Sequence, residues 1–335
     1  MNDDALQQIL RLLSDGQFHS GQELGEILGV SRTAVWKHLQ KLEGLNISLE
    51  SVKGKGYRVC GGLDLLNAER IQQQLQPEIK ELLDVLDIHT VIDSTNTYTL
   101  QSAAGRVNGY VCLAEQQTSG KGRRGRHWVS PFGKNIYLSV LWNFEGVAAL
   151  EGLSLAVGVA IVEALESFGV SGVKLKWPND VLWQQRKLAG ILLEVTGDPA
   201  GLCQVVVGIG LNVSMPDVSA SVIDQPWVDL QTIQSQLELP RPVLRNELVA
   251  ALLTHLLPLL RNYPEEKFAA YRERWEQLNA YAGKPVELHT ARDSVKGRMV
   301  GVDESGALRL ATEQGEALFY GGEVSLRVSD DSADR

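Results

Sequence analysis

The sequence is poor in cysteine and has no long apolar run. Only three cysteines occur, Cys60, Cys112 and Cys203, far apart and odd in number. No C-x-x-C pair is present, which argues against a disulfide framework or a cysteine zinc site and fits a reducing cytoplasm. The most apolar stretches, 153–162 and 248–260, are shorter than the ~20 residues a membrane-spanning helix needs. The second also carries His255 and Pro258. The start, Met1-Asn2-Asp3-Asp4, is acidic, whereas a secretory signal needs a basic start and then an apolar run. There is no internal repeat and no low-complexity tract. Positive charge is not in excess: 32 Lys and Arg against 41 Asp and Glu leave −9. That excludes a uniformly basic nucleic-acid coat and leaves room for a local basic patch. A soluble, cytoplasmic protein is expected.

At ~150 residues per domain, 335 residues correspond to about two domains with room for a small third. Hydrophobic residues at 44% and charged residues at 22% suit a chain that buries a core. Three zones follow, 1–62, 63–280 and 281–330, and the fold class is α+β.

The first zone reads as a winged helix-turn-helix. Leu6, Ile9, Leu10 and Leu13 share one helical face, and Asp15-Gly16 ends it. Ser20 and Glu23 have capping-box spacing for a second helix, which Gly29 ends. Ser31 caps a third helix, 32–42, with Val35, Leu39 and Leu42 inward and Arg32, Thr33, Trp36 and Lys37 outward. Segments 47–52 and 57–59 around Lys53-Gly54-Lys55-Gly56 make a β-hairpin wing. Residues 31–58 hold six basic side chains (Arg32, Lys37, Lys41, Lys53, Lys55, Arg58) against two acidic (Glu43, Glu50), a local +4. Those charges lie on the helix and wing that reach a major groove and its phosphates, so Ser31, Arg32, Thr33, Trp36, Lys37, Lys53 and Lys55 are the candidate DNA contacts. The plainer alternative is a helical interaction module with solubilising charge.

The middle zone alternates strands (89–92, 110–115, 135–142, 174–177, 181–183, 190–196, 204–208) with helices (153–168, 245–260). The strands follow too closely for a helical crossover between each pair, which predicts a mixed sheet. The last zone gives five short strands (286–289, 296–302, 307–311, 317–320, 324–328) with turns at 291–293, 303–306, 313–315 and 321–322, an SH3-like small barrel by size. The tail, 329–335, is polar and expected to be disordered.

Four segments and Lys187 carry the candidate chemistry. Gly120-Lys121-Gly122-Arg123-Arg124-Gly125-Arg126 packs three glycines and four cations into seven residues. Glycine lets backbone approach an anion, and arginine adds forked donors for phosphate or carboxylate. The segment is neither a Walker A loop nor a Rossmann fingerprint. Lys176-Trp177-Pro178-Asn179-Asp180 has a proline that breaks pairing and aims polar groups at a pocket, or else forms a polar edge turn. Lys187, just before a buried strand, is placed to neutralise charge on an acyl or phosphoryl group, or else only snorkels. Ser94-Thr95-Asn96 reads as a helix cap or a polar head-group site. In Gly208-Ile209-Gly210-Leu211-Asn212, the glycines admit a ligand ring and Asn212 offers an amide to a base or phosphate; the alternative is a bulged strand.

Taken in order and spacing, Gly120–Arg126, Lys176–Asp180, Lys187-Leu188-Ala189-Gly190 and Gly208–Asn212 resemble the biotin protein ligases. With the winged helix and the small barrel, the chain is similar to the bifunctional bacterial form, ligase and biotin operon repressor. The resemblance implies a class II synthetase-like catalytic domain at 63–280. It also implies formation of biotinyl-5′-adenylate from biotin and Mg-ATP, and transfer to a lysine of biotin carboxyl carrier protein. It would place Ser94, Thr95, Asn96 and Gln117 on the biotin head group, and Lys121, Gly122 and Arg123 over the acyl phosphate. Lys187 would lie on the biotin carboxylate. Lys176, Asn179, Asn212, Trp227 and Arg327 would bear on ATP, with Trp227 against adenine. Asp180 would help activate the target lysine or position metal; no direct metal ligand is assigned. The adenylate would serve as corepressor for a homodimer on operator DNA. Lys121 stands where many bifunctional relatives carry arginine, and a lysine cannot make the bidentate fork. Two other readings remain: a lipoate ligase-like acyltransferase, and a non-catalytic effector-binding repressor.

Overall fold

A computed structural model describes residues 3–103, 105–198, 200–290, 293–321 and 325–328. The N-terminal helices form where the apolar spacing and caps place them: α1 (Asp3–Leu13), α2 (Gly21–Leu28) and α3 (Arg32–Gly44). The Ser20 hydroxyl accepts from the Glu23 N–H at 3.0 Å, and the Glu23 carboxylate accepts from the Ser20 N–H at 3.2 Å. Both halves of the capping box are therefore made. The Ser31 hydroxyl accepts from the Ala34 N–H. The wing is the antiparallel pair β1 (Leu49–Val52) and β2 (Gly56–Val59), with Lys53 and Lys55 exposed at its tip. Ile9, Leu10, Leu13, Leu24, Val35, Leu39 and Leu42 make a separate core, into which Phe132 reaches from the central region.

The junction, with α4 (Ala68–Gln74) and α5 (Pro77–Lys80), is tied down by a buried ion pair. The Arg245 guanidinium lies 2.7 Å from the Glu115 carboxylate, the two side chains 4% and 6% exposed. Arg245 also donates to the carbonyls of Asp64 and Asn135, and Glu115 accepts from the Leu66 N–H at 2.6 Å. A buried charge pair persists only when its remaining valences are also satisfied, and here they are.

The central sheet contains β3 (Val85–Ile92), β4 (Tyr110–Gln117), β5 (Ile136–Glu145), β6 (Val173–Lys176), β7 (Asp180–Trp183), β8 (Arg186–Gly197) and β9 (Leu202–Leu211). Its order is β3-β4-β5-β9-β8-β7-β6, with β3–β4 parallel and the other pairs antiparallel, the mixed sheet expected. Helix α6 (Thr95–Gln101) covers one face, against β4, β5 and β9. The other face packs on α7 (Leu153–Glu166), buried along most of its length, with α10 (Arg245–Glu266) and α11 (Ala269–Leu278) outside it. Short helices α8 (Asp217–Ala220) and α9 (Leu230–Gln236) lie between β9 and α10. Among the described residues no helix is long and apolar enough to cross a membrane.

The C-terminal strands β10 (Pro285–His289), β11 (Ser294–Val302), β12 (Leu308–Thr312), β13 (Gly315–Phe319) and β14 (Ser325–Val328) form an antiparallel sheet ordered β13-β12-β11-β10-β14. Its core is continuous with that of the central domain. The Trp177 indole N–H donates to the Gly306 carbonyl at 3.1 Å, docking this sheet beside the β6–β7 turn. The turn residues Ala291 and Arg292, Gly322 and Val324, and the tail 329–335 lie outside the described residues.

Two expectations are corrected. The strand expected at 190–196 begins at Arg186, so Lys187 lies within it, paired to Leu182 of β7 across a register shift. The helix expected at 245–260 runs on to Glu266, with Pro258 and Pro264 inside it.

Arg245→Met removes one partner of the buried pair and strands Glu115. We expect the central domain to lose about 3–5 kcal/mol of stability in urea denaturation. An unchanged midpoint would contradict the role given to this pair.

Candidate active site

The two-residue period of the sheet divides β5, β8 and β9 into two faces. Leu138, Val140, Ile191, Val205, Val207 and Ile209 point into the core. The opposite face carries small or polar residues: Ser139, Gly190, Gly208 and Gly210, with Leu192 and Glu194. This floor is roofed by the start of α6 and by the glycine-rich loop, which folds as a short hairpin. Gly122 N–H donates to the Arg126 carbonyl at 2.7 Å, Trp128 N–H donates to the Gly120 carbonyl at 2.8 Å, and Lys121 bridges His127.

A narrow cavity of about 50 Å³ lies under that roof, lined by Ser94, Thr95, Asn96, Gln117, Lys121, Gly122, Arg123 and Lys187. Every residue expected on the head group is present in its wall. Ser94 caps α6, as its plainer reading held. Gln117 Oε1 accepts from the Thr95 N–H at 2.9 Å and hydroxyl at 3.1 Å, and its Nε2 donates to Ser130. Asn96 Oδ1 accepts from the Ser139 hydroxyl at 2.6 Å.

A larger cavity, about 380 Å³, adjoins it and is lined by Arg123, Arg126, Trp128, Lys176, Asn179, Asp180, Lys187, Asn212, Trp227 and Leu326 among others. The two share Gly122, Arg123, Trp128, Asn179 and Lys187. At this wall the Lys187 ammonium is 2.7 Å from Asp180, and the Lys176 ammonium is 3.9 Å from the same carboxylate. Arg123 donates to Asn179 Oδ1 at 2.8 Å. Burial draws Lys176 below the ordinary lysine range; Asp180 opposes this, and Lys187, Arg327 and Arg126 add to it. The expected edge turn at Pro178 is a three-residue connection between Lys176 and Asp180, with a cis peptide after Trp177.

Three expectations change in detail. A Cβ on Gly210 would lie 2.5 Å from the Trp128 indole, so the ring these strands admit belongs to the protein. A Cβ on Gly208 would lie 2.2 Å from Asn96 Oδ1, so that glycine makes room for the Asn96 amide. The Asn212 side-chain nitrogen donates to the carbonyls of Lys187 and Val228, so its first task is to brace the cleft. Arg327 does not line the cavity; it stands on β14 opposite Glu287, while its neighbour Leu326 lines the wall. Trp227 lines the larger cavity and bridges Lys187 through the backbone.

Trp128 and Glu194 were not among the expected site residues. The Trp128 ring lies under the Lys187 ammonium at 5.4 Å, and its indole nitrogen is buried without an acceptor among the described residues. The signal available was the pairing of a tryptophan with alternating glycines. On the winged helix, Ser31, Arg32, Thr33, Trp36, Lys37, Lys53 and Lys55 are all exposed, Trp36 at 51%.

Residues 88–212 match the Biotin/lipoate A/B protein ligase family, residues 5–58 an HTH domain, and residues 281–327 the Biotin protein ligase C terminal domain. The chain is 41% identical over 324 residues to the bifunctional ligase/repressor BirA of Escherichia coli, covering 96% of this chain and 97% of that one. It is 35% identical over 236 residues to the biotin–[acetyl-CoA-carboxylase] ligase of Paracoccus denitrificans, covering 69% of this chain and 96% of that one. Among solved structures, the Aquifex aeolicus biotin protein ligase in complex with biotin and ATP superposes with a TM-score of 0.62 at 29% identity, covering 73% of this chain and 100% of that one.

Asp180→Asn removes the carboxylate that holds Lys176 up. Lys176 is expected to titrate lower still in that variant, read by NMR of isotopically labelled lysine side chains. A rise would contradict the part given to the Asp180 carboxylate.

Proposed function

The chain belongs to the biotin protein ligase family, in its bifunctional ligase/repressor form, and from that premise we propose how its cleft and its winged helix divide the work. It is an ATP-dependent biotin protein ligase, and its domains are set at 1–62, 63–280 and 281–330. The observation that carries the site reading is that two cavities meet at Lys187. Biotin takes the narrow one, with its ureido ring among Thr95, Asn96 and Gln117 and its carboxylate toward Lys187. A dithiolane offers no N–H to the lone pair that Asn96 keeps after bonding Ser139, which favours biotin over lipoate. ATP takes the larger one, adenine against Trp227 and phosphates toward Arg123, Lys176 and Arg126.

A biotin carboxylate oxygen attacks the α-phosphorus, the bond to pyrophosphate breaks, and biotinyl-5′-adenylate forms. The amine of a carrier-protein lysine then attacks the acyl carbon, and AMP leaves. Lys187 touches the charge that develops in both steps; preorganised cations in a dry cleft act most strongly there. Asp180, held between two lysines, takes up the proton that the target ammonium sheds. The glycine-rich loop supplies cations and keeps water from the mixed anhydride. Mg²⁺ enters with the nucleotide and neutralises phosphate charge. Among the described residues no three His, Cys, Asp or Glu side chains converge as a metal cage, so the ion fits as part of the ATP substrate.

The winged helix presents Arg32, Thr33, Trp36 and Lys37 to a major groove, with Lys53 and Lys55 on flanking phosphates. The corepressor form is a homodimer. What supports this is the edge of β8: β7 pairs with it only as far as Gly190, and residues beyond Ile191 extend past that partner with Val195 exposed. Such an edge suits antiparallel pairing with a second copy. The three cysteines are free, which suits a cytoplasmic location.

Purified protein mixed with biotin, Mg-ATP and a carrier domain should add one biotin to the carrier by intact mass. Lys187→Ala is expected to lower kcat/KM by about 10²–10³. No transfer by the wild type would defeat the ligase reading. On operator DNA, Lys37→Ala or Lys53→Ala should each reduce the salt slope of binding by about one. An unchanged slope would remove those residues from the interface.

A further inference from the structure

We propose that Glu194 is a positioning residue that couples the biotin head-group pocket to the glycine-rich loop, and that its ion pair with Lys121 governs how long the adenylate is retained. The inference rests on the biotin reading above. Glu194 stands on β8, on the small-residue face, opposite Val206 of β9. One carboxylate oxygen accepts from Asn96 Nδ2 at 2.8 Å, and the other lies 4.0 Å from the Lys121 ammonium. One side chain thus touches both a wall residue of the pocket and the first cation of the loop.

The contact with Asn96 settles which way that amide faces. Asn96 Nδ2 spends its two hydrogens on Glu194 and on the Leu192 carbonyl. Its Oδ1 accepts from the Ser139 hydroxyl and keeps one lone pair. A carboxylate only accepts, so the nitrogen must face Glu194 and the oxygen must face the pocket. Asn96 can therefore meet a ligand only as an acceptor, which suits a ureido N–H.

The contact with Lys121 acts differently. The two side chains are 46% and 27% exposed, and a pair in that setting is weak. When the loop closes over a bound adenylate and water leaves, the same pair strengthens. The carboxylate is already held by Asn96, so only the lysine has to be ordered. Lysine brings a point charge without a fork, and the Glu194 anchor is the partner that makes it sufficient in this chain.

The test uses the full-length protein with biotinyl-5′-adenylate formed in place from labelled biotin and Mg-ATP, and follows its release. Glu194→Gln keeps an acceptor for Asn96 but loses the charge; Lys121→Gln loses the other charge. Each is expected to speed release about fivefold to tenfold, and the double variant no more than either alone. Raising salt should speed release from the wild type more than from either variant. The thermal midpoint of Glu194→Gln should match the wild type. Glu194→Leu, which removes the acceptor as well, should also weaken equilibrium biotin binding about tenfold relative to Glu194→Gln. Multiplying effects in the double variant, or wild-type release from Glu194→Gln, would overturn the coupling. Equal biotin affinity in the Leu and Gln variants would overturn the Asn96 role. A wild type that forms no adenylate would instead defeat the ligase reading, and this inference with it.

Discussion

The period of the β-strand is the constraint on which the site depends. Along β8 and β9 every second residue enters the core beneath α7, so its neighbours must form the opposite face. Large neighbours would have filled that face beside α6. Instead Gly190, Gly208 and Gly210 leave a floor low enough to take Trp128 and Asn96 in contact with backbone. The cavities are the space that remains between this floor, the start of α6 and the loop at 120–128. A one-residue slip in register would turn leucine and valine into the cleft and glycine into the core.

Rigidity is supplied from outside the cleft. The Arg245–Glu115 pair joins the linker after the winged helix, strand β4, Asn135 and α10 in one buried network. Asn135 in turn accepts from the Val213 N–H, at the start of the segment that closes the larger cavity. Asn212 holds Lys187 and Val228 together by their carbonyls. Lys187 is therefore positioned by backbone on two sides and by Asp180 at its tip. A cation placed this way pays its ordering cost on folding and does not pay it again during reaction.

Much of this was legible in the sequence, for physical reasons that differ by region. The winged helix announced itself because its helices carry caps at the right spacing, and both hydrogen bonds of the Ser20–Glu23 box are present. The mixed sheet followed from strand spacing. Helices α4, α9 and α11 were missed because they are short or largely polar, and their single inward stripes show no strong period. Lys187 was placed before its strand because Arg186 and Lys187 look like surface charge, and only pairing with β7 brings them into the sheet. Motif order pointed to Ser94, Thr95, Asn96 and Gln117, which line the narrow cavity, whereas the use of the glycines did not follow from it. That Gly210 serves Trp128 is a long-range contact, and no local pattern encodes it. Glu194 was invisible for the same reason, since both its partners lie far away in sequence.

The central claim is that head group, acyl phosphate and adenine lie in one line across the two cavities, with Lys187 at their meeting point. A crystal structure with a non-hydrolysable biotinyl-adenylate analogue tests it most directly. The account predicts the ureido ring beside Thr95, Asn96 and Gln117, the phosphoryl linkage within hydrogen-bond reach of Lys187, and adenine against Trp227. Adenine in the narrow cavity, or a linkage out of reach of Lys187, would contradict it.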